Sequence, residues 1–243
     1  MISPDDGRVM FILPAGKFTI VGTTDSWTDD PPDEARASET DLVYLLRAVE
    51  AYFPDTALTE MDVVSAWAGI RPLAEPDGNR NPSELSREHK ITKTGAGMIN
   101  VTGGKLTTYR SMAAEIVDCV EDELGRKPSK CLTADQELAG AERPAHLEKL
   151  IAEHPALKTL VINGLPYTFA ELMYGVSNEM ALTLSDLLMR RTRVAFETPD
   201  HGLSAVTRIA ENVAEFAGWD KYQKKAQVEA YTDEVARVFS VDP

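Results

Sequence analysis

The strongest constraint on the fold is a change of hydrophobic pattern near residue 130. Before that point, short β-prone runs such as residues 9–13 and 18–21 alternate with helical patterns, whereas beyond it only helical periodicity continues. Helices are predicted there at about residues 143–153, 167–175, 178–191, 203–217 and 220–239. The sequence therefore predicts an α+β fold, in which a β-sheet-containing portion, residues 1–128, precedes an all-α C-terminal domain, residues 129–243.

Within the sheet-containing portion, residues 14–17 contain Pro and Gly and separate the first two β-prone runs, which predicts a hairpin. A helix is predicted at about residues 33–53, and a strand at residues 61–68. A further β-prone run, residues 97–101, ends at a glycine pair and leads into a helical pattern that continues to Gly125. This order of strand, glycine pair and helix is the most informative local arrangement in the chain.

Composition excludes several classes of partner. The formal net charge is −14 and the isoelectric point is near 4.7, so a nucleic acid or an anionic bilayer would meet a surface of like charge. The two cysteines, Cys119 and Cys131, form neither a disulfide framework nor a metal-ligand spacing, which favours a reducing cytoplasm and no metal. No apolar run approaches the roughly eighteen residues of a membrane span.

Residues 103–110, GGKLTTYR, carry the clearest chemical signal. Glycines at a strand-to-helix turn let backbone N–H groups approach an electron-rich ligand, and Lys105 adds a full positive charge there. A tight turn before a capped helix explains the same residues without a ligand. The spacing is not that of a phosphate-binding P-loop, and residues 95–100 only superficially resemble a dinucleotide-binding GxGxxG, because they lead into a strand.

Three cationic segments offer further candidates. Arg71 follows a predicted strand and precedes Pro72, where it could meet an anion in a cleft or form a surface ion pair. In residues 86–91, SREHKI, period-two alternation would place Arg87 and His89 on one face. The arginines at 190, 191 and 193 close a predicted helix, and their interpretation is structural because positive charge is favoured at a helix C-terminus.

Taken in order, five segments resemble the FAD-dependent, aerobic-type glycerol-3-phosphate dehydrogenases. The segments are residues 22–25 (GTTD), 65–73 (SAWAGIRPL), 86–91, 103–110 and 179–193. The resemblance implies that the chain corresponds to the C-terminal half of such an enzyme, since no Gly-rich unit for the ADP of FAD is found. Residues up to 128 would complete the flavin and substrate domain.

The resemblance also implies a chemistry, in which sn-glycerol 3-phosphate is oxidised to dihydroxyacetone phosphate with hydride transfer to FAD and electrons passing to quinone. Arg71 would lie by the reacting C2 oxygen as the catalytic residue, and Arg87 and Lys105 would bind the phosphate. Gly104, Lys105, Leu106 and Thr107 would face the pyrimidine edge of the flavin. The general base is either His89 or a residue of the missing half.

Further expectations follow from the same resemblance. The isolated chain would be colourless and inactive, and the protein would be cytoplasmic, with any contact to the inner face of the cell membrane made by the missing half. A glycerol-3-phosphate oxidase that uses oxygen would share these motifs. A non-catalytic helical cap or interaction module is the alternative outside the enzymes, and no oligomeric state is predicted.

Overall fold

A computed structural model describes residues 1–71, 88–138 and 140–242. They form two compact units, one comprising residues 1–24, 30–69 and those from 140 onward, the other comprising 25–29, 70–71 and 88–138. The architecture is mixed α/β, as predicted, with helices and small two-stranded sheets. The division into domains at residues 1–128 and 129–243 stays a prediction; in this grouping, residues 1–24 and 30–69 fall in the same unit as the C-terminal helices.

In the first unit, strands β1 (Phe11–Ala15) and β2 (Phe18–Gly22) pair in antiparallel register, with Ala15 opposite Phe18. This is the predicted hairpin. The two-residue strands β3 (Ala37–Ser38) and β6 (Val241–Asp242) pair in parallel. The part beyond residue 129 is therefore predominantly but not entirely helical, which corrects the prediction of an all-α segment.

Some helices of the first unit begin at side-chain capping boxes. Ser38 and Asp41 form a reciprocal capping box at the start of one helix, and Asp220 and Gln223 form another. The helices are α1 (Glu39–Tyr52), α3 (Arg143–Glu153), α4 (Phe169–Asn178), α5 (Val206–Ala217) and α6 (Lys221–Phe239), with a π-helix at Asp186–Arg191 and short 3-10 helices at Pro32–Glu34, Pro54–Thr56, Glu60–Asp62, Pro155–Lys158 and Leu203–Ala205.

The hydrophobic core of this unit lies among its C-terminal helices. Leu172, Leu184, Leu187, Ile209 and Val213 are fully buried there, as the helical periodicity of the sequence predicts. The predicted strand at residues 61–68 is wrong. Glu60–Asp62 is a 3-10 helix, the following residues form no strand, and the Trp67 ring instead packs edge-on against Phe196 at 5.0 Å.

The second unit contains the predicted strand, glycine turn and helix. Strands β4 (Lys90–Lys93) and β5 (Ile99–Thr102) form an antiparallel hairpin, and a 3-10 helix at Leu106–Thr108 leads into α2 (Tyr109–Glu123). The GxGxxG-like residues 95–100 form the turn of this hairpin and the start of β5, so they do not begin a helix.

Candidate functional site

The turn between β5 and α2 has a backbone conformation that requires glycine. Gly103 and Gly104 have φ angles of +72° and +98°, which other residues adopt only with strain. A Cβ on Gly104 would overlap the end of the Met112 side chain and lie 3.4 Å from the His89 Cβ atom. The glycine pair therefore allows the chain to pass closely between His89 and α2.

This turn contains four consecutive backbone N–H groups that can act as hydrogen-bond donors. Among the described residues, the backbone N–H groups of Gly104, Lys105, Leu106 and Thr107 have no hydrogen-bond acceptor. Lys105 precedes the 3-10 helix with an extended backbone, and its side chain is exposed. Leu106 is 88% exposed, which is unusual for an apolar side chain at the start of a helix. The arrangement can bind an electron-rich group through amide donors and one cation.

Arg71 is held by an aspartate that lies far away in sequence. Its Nη1 atom lies 2.6 Å from Oδ1 and 2.8 Å from Oδ2 of Asp25. A surface ion pair was one of the two alternatives for Arg71 from the sequence, and such a pair is present. Asp25 belongs to the GTTD motif of residues 22–25, but sequence reasoning did not identify it as the partner of Arg71, because no local spacing relates two residues in separate motifs.

His89 forms the other polar contact in this unit that bears on chemistry. Its Nε2 atom lies 2.8 Å from Oε2 of Glu115 on α2. The contact fixes the ring and leaves Nδ1 as the nitrogen that is not engaged by Glu115. Glu115 was not among the residues predicted from sequence, although its position on the helix that follows the glycine turn is the signal that could have identified it.

The remaining predicted site residues are placed as follows. Gly104, Lys105, Leu106 and Thr107 lie together in the turn. Arg87 lies outside the described residues, so the predicted convergence of Arg71, Arg87 and Lys105 on one cleft stays a prediction. No described contact joins Arg71 to Lys105.

The arginines at the end of the π-helix make structural contacts, in agreement with their interpretation from sequence. Arg190 pairs with Asp186 and Glu234, and Arg191 donates to the carbonyl oxygen of Glu179. Among the residues that the structure describes, no three His, Cys, Asp or Glu side chains form a group that could hold a metal ion. In the same part of the chain, no helix has the length and hydrophobicity needed to cross a membrane.

Comparison with known proteins relates this geometry to a family. Residues 1–110 match the model of the FAD dependent oxidoreductases, and residues 145–224 match the C-terminal domain of alpha-glycerophosphate oxidase. A glycerol-3-phosphate dehydrogenase of Synechocystis sp. is 33% identical over 93% of this chain, and the aerobic glycerol-3-phosphate dehydrogenase of Staphylococcus saprophyticus is 31% identical over 95%. Over nearly its whole length, the chain is thus similar in sequence to glycerol-3-phosphate dehydrogenases, and its first 110 residues match the FAD dependent oxidoreductase model.

A solved structure of a glycerol-3-phosphate dehydrogenase extends this similarity to the fold. The enzyme from Bacillus halodurans, complexed with FAD, matches 99% of this chain with a TM-score of 0.71 and 30% identity. The chain covers 54% of that structure and 47% of each of the two bacterial dehydrogenases, so it spans about half the length of these relatives. The resemblance to FAD-dependent glycerol-3-phosphate dehydrogenases, which residues 103–110 and the four other motifs indicate, is confirmed.

Proposed function

We propose that this chain forms part of a flavoenzyme that oxidises sn-glycerol 3-phosphate to dihydroxyacetone phosphate, with FAD as its cofactor. The observation that carries the proposal is the glycine turn of residues 103–107, in which Lys105 lies beside amide donors that have no acceptor in the part of the chain that the structure describes. The relatives of the chain are named glycerol-3-phosphate dehydrogenases. We call the FAD-loaded protein that contains this chain together with an ADP-binding unit the holoenzyme.

The residues of the turn fit the proposed cofactor. The pyrimidine edge of a flavin carries electron-rich oxygen and nitrogen atoms, whose negative charge grows on reduction, and the N–H groups of Gly104, Lys105, Leu106 and Thr107 are donors without an acceptor among the described residues. When bound, FAD would accept the hydride from C2 of the substrate and pass the electrons on. The chain's own contribution is to hold donors and positive charge at that edge.

We assign the substrate phosphate to Arg87 and Lys105. Phosphate is a dianion, and guanidinium groups bind it with forked, charge-assisted hydrogen bonds. Lys105 is exposed and free of ion pairs within residues 1–71, 88–138 and 140–242, so its ammonium group is available to an anion. The assignment of Arg87 rests on the family motif of residues 86–91.

Arg71 is assigned to the C2 oxygen of the substrate. A guanidinium placed there would stabilise negative charge that develops on the oxygen when its proton is removed. His89 is one candidate for the base that removes this proton, and since Glu115 engages Nε2, Nδ1 would be the accepting atom. The other candidate is a residue outside this chain.

The electron acceptor distinguishes a dehydrogenase, which would reduce quinone, from an oxidase, which would reduce oxygen. Quinone is the proposed acceptor, which would place the protein on the inner face of the cell membrane through a contact outside this acidic chain. Oxygen is the second candidate, because residues 145–224 match the C-terminal domain of alpha-glycerophosphate oxidase. We expect a holoenzyme given glycerol 3-phosphate in air to reduce a soluble quinone without forming hydrogen peroxide. Peroxide in a one-to-one ratio to product would assign it to the oxidases.

A further inference from the structure

We propose that Asp25 is a positioning residue, which holds the Arg71 guanidinium so that its opposite edge faces the substrate. The inference rests on the proposed function, since it takes Arg71 as the group at the reacting oxygen. It concerns a residue to which neither the family resemblance nor the comparisons give a role.

The contact between the two side chains has a specific geometry. Both carboxylate oxygens of Asp25 approach the same nitrogen of Arg71, Nη1, at 2.6 and 2.8 Å. A guanidinium has five N–H donors, and this contact engages only those of Nη1. The Nε and Nη2 atoms of Arg71 have no acceptor among the described residues. That edge is a two-donor fork, of the kind that binds an anionic oxygen or a pair of oxygens.

The burial of the two groups supports an orienting role. The Asp25 side chain is 18% exposed and the Arg71 side chain is 36% exposed, so the acid is the more enclosed partner. Asp25 follows β2 and Arg71 lies 46 residues further along the chain, so the contact ties together two segments that sequence alone leaves independent. An arginine without such a tie samples many rotamers, and fixing it beforehand removes that entropy cost from the reaction.

A negative charge beside Arg71 also lowers its attraction for distant anions. Asp25 therefore does not help to attract a dianionic substrate, but it can orient the guanidinium of Arg71. If phosphate binding depends on Arg87 and Lys105, loss of Asp25 should affect turnover more than substrate binding. A general loss of stability would also lower the apparent kcat without changing KM, because it reduces the amount of active enzyme. The double variant with Arg71→Ala separates the two cases, since a loss of stability would add to the effect of Arg71→Ala, whereas a positioning role would not.

The test compares Asp25→Ala, Asp25→Asn and the double variant Asp25→Ala with Arg71→Ala in the holoenzyme. We expect Asp25→Ala to lower kcat about 10- to 100-fold with KM changed by less than about threefold, which is the scale for a displaced catalytic group. Asp25→Asn, which keeps one acceptor oxygen, should fall between it and the wild type. In the Arg71→Ala background, Asp25→Ala should have no further effect, because a residue acting through Arg71 has nothing left to position.

A matched control and a second readout complete the test. Asp6 also pairs with an arginine, Arg8, at 2.8 Å, and Asp6→Ala should leave kcat within about twofold of the wild type, as is usual for an exposed ion pair. In ¹⁵N NMR spectra of the full chain, the two Nη signals of Arg71, assigned by their loss in Arg71→Lys, should be separate in the wild type and merge in Asp25→Ala, because the ion pair hinders rotation.

The outcomes separate this inference from the proposed function. If the holoenzyme is active but Asp25→Ala leaves its kcat unchanged, only the positioning role is overturned. The same holds if the effects of Asp25→Ala and Arg71→Ala on kcat multiply in the double variant. Merged Nη signals in the wild type would overturn it without reference to activity. A holoenzyme that does not oxidise glycerol 3-phosphate would overturn the proposed function, and the positioning role in that reaction with it.

Discussion

A Cβ atom on Gly103 would lie 2.6 Å from the backbone carbonyl oxygen of Glu88. Because this oxygen belongs to the backbone that leads into β4, it cannot move aside as the end of a side chain can. Gly103 also has a φ angle of +72°. Gly103 is therefore required by the packing of the chain itself.

This relationship predicts that Gly103→Ala is destabilising. The left-handed conformation alone costs about 1–2 kcal/mol for a residue with a Cβ, and the overlap with Glu88 adds about 1–3 kcal/mol. The control is Gly95→Ala, since a Cβ at Gly95 would have no atom within 4 Å and its φ is not positive. Urea unfolding of the full chain should show the loss for Gly103→Ala only. Equal stability of the two variants would mean that the turn has another conformation.

A second prediction concerns two leucines that are close in sequence. Leu184 is fully buried in the helical core, whereas Leu182 is 72% exposed. Leu184→Ala should lower the free energy of unfolding by about 2–5 kcal/mol, because it leaves a cavity. Leu182→Ala should change it by less than about 0.5 kcal/mol. The reverse order in chemical denaturation would contradict the packing described for the core.

Asp186 makes stability depend on pH. Burial acts to raise the pKa of its carboxyl, but hydrogen bonds with Leu182 and Thr183 and the charge of Arg190 outweigh burial and lower the pKa below its usual range. The stabilising contribution of a carboxylate with a lowered pKa is present above the pKa of the unfolded state, about 3.9, and is lost as the pH falls through the folded-state value.

Asp186→Asn should therefore be less stable than the wild type near neutral pH, and the difference should shrink below about pH 4. Thermal unfolding across this range checks the prediction. The exposed Asp233 of α6 provides the control, since its replacement by Asn should produce no such dependence. If the difference in stability between Asp186→Asn and the wild type stays constant down to pH 2, the effect comes from the shape of the side chain and not from its charge.

Arg87 carries the prediction about substrate binding. In the holoenzyme, Arg87→Ala should weaken binding of glycerol 3-phosphate by about 2–5 kcal/mol, or roughly thirtyfold to several thousandfold, the range for losing one partner of a buried charge pair. Arg87→Lys keeps the charge but loses the fork, so it should lie between Ala and the wild type. Steady-state kinetics with Arg87→Ala within twofold of the wild type would remove Arg87 from the phosphate site.

Local patterns predicted the local structure of the chain well. The hairpin of β1 and β2, the strand before Gly103 and helices such as α3 and α6 follow from periodicity and turn residues, which are properties of neighbouring positions. The prediction of a strand at residues 61–68 is wrong, because the apolar residues of this segment indicate burial without indicating what they pack against. Trp67 packs against Phe196 instead of pairing in a sheet.

Part of the candidate site could likewise be predicted from the sequence, and part of it could not. The turn formed by Gly104 and Lys105 could be read from sequence, since its glycines and cation are adjacent. The partners of Arg71 and His89 could not, because Asp25 and Glu115 are 46 and 26 residues away and no periodicity links them. Contacts of this kind depend on tertiary packing, so only the three-dimensional structure reveals them.

The most direct test of the proposed function is anaerobic reduction of the holoenzyme's flavin by its substrate. Addition of sn-glycerol 3-phosphate, with oxygen and quinone both absent, should bleach the absorbance of oxidised flavin and release one dihydroxyacetone phosphate per flavin reduced. Holoenzyme that carries Lys105→Ala should bleach only at higher substrate concentrations, because Lys105 is assigned to the phosphate. A flavin that stays oxidised in the wild-type holoenzyme at saturating glycerol 3-phosphate would contradict the account.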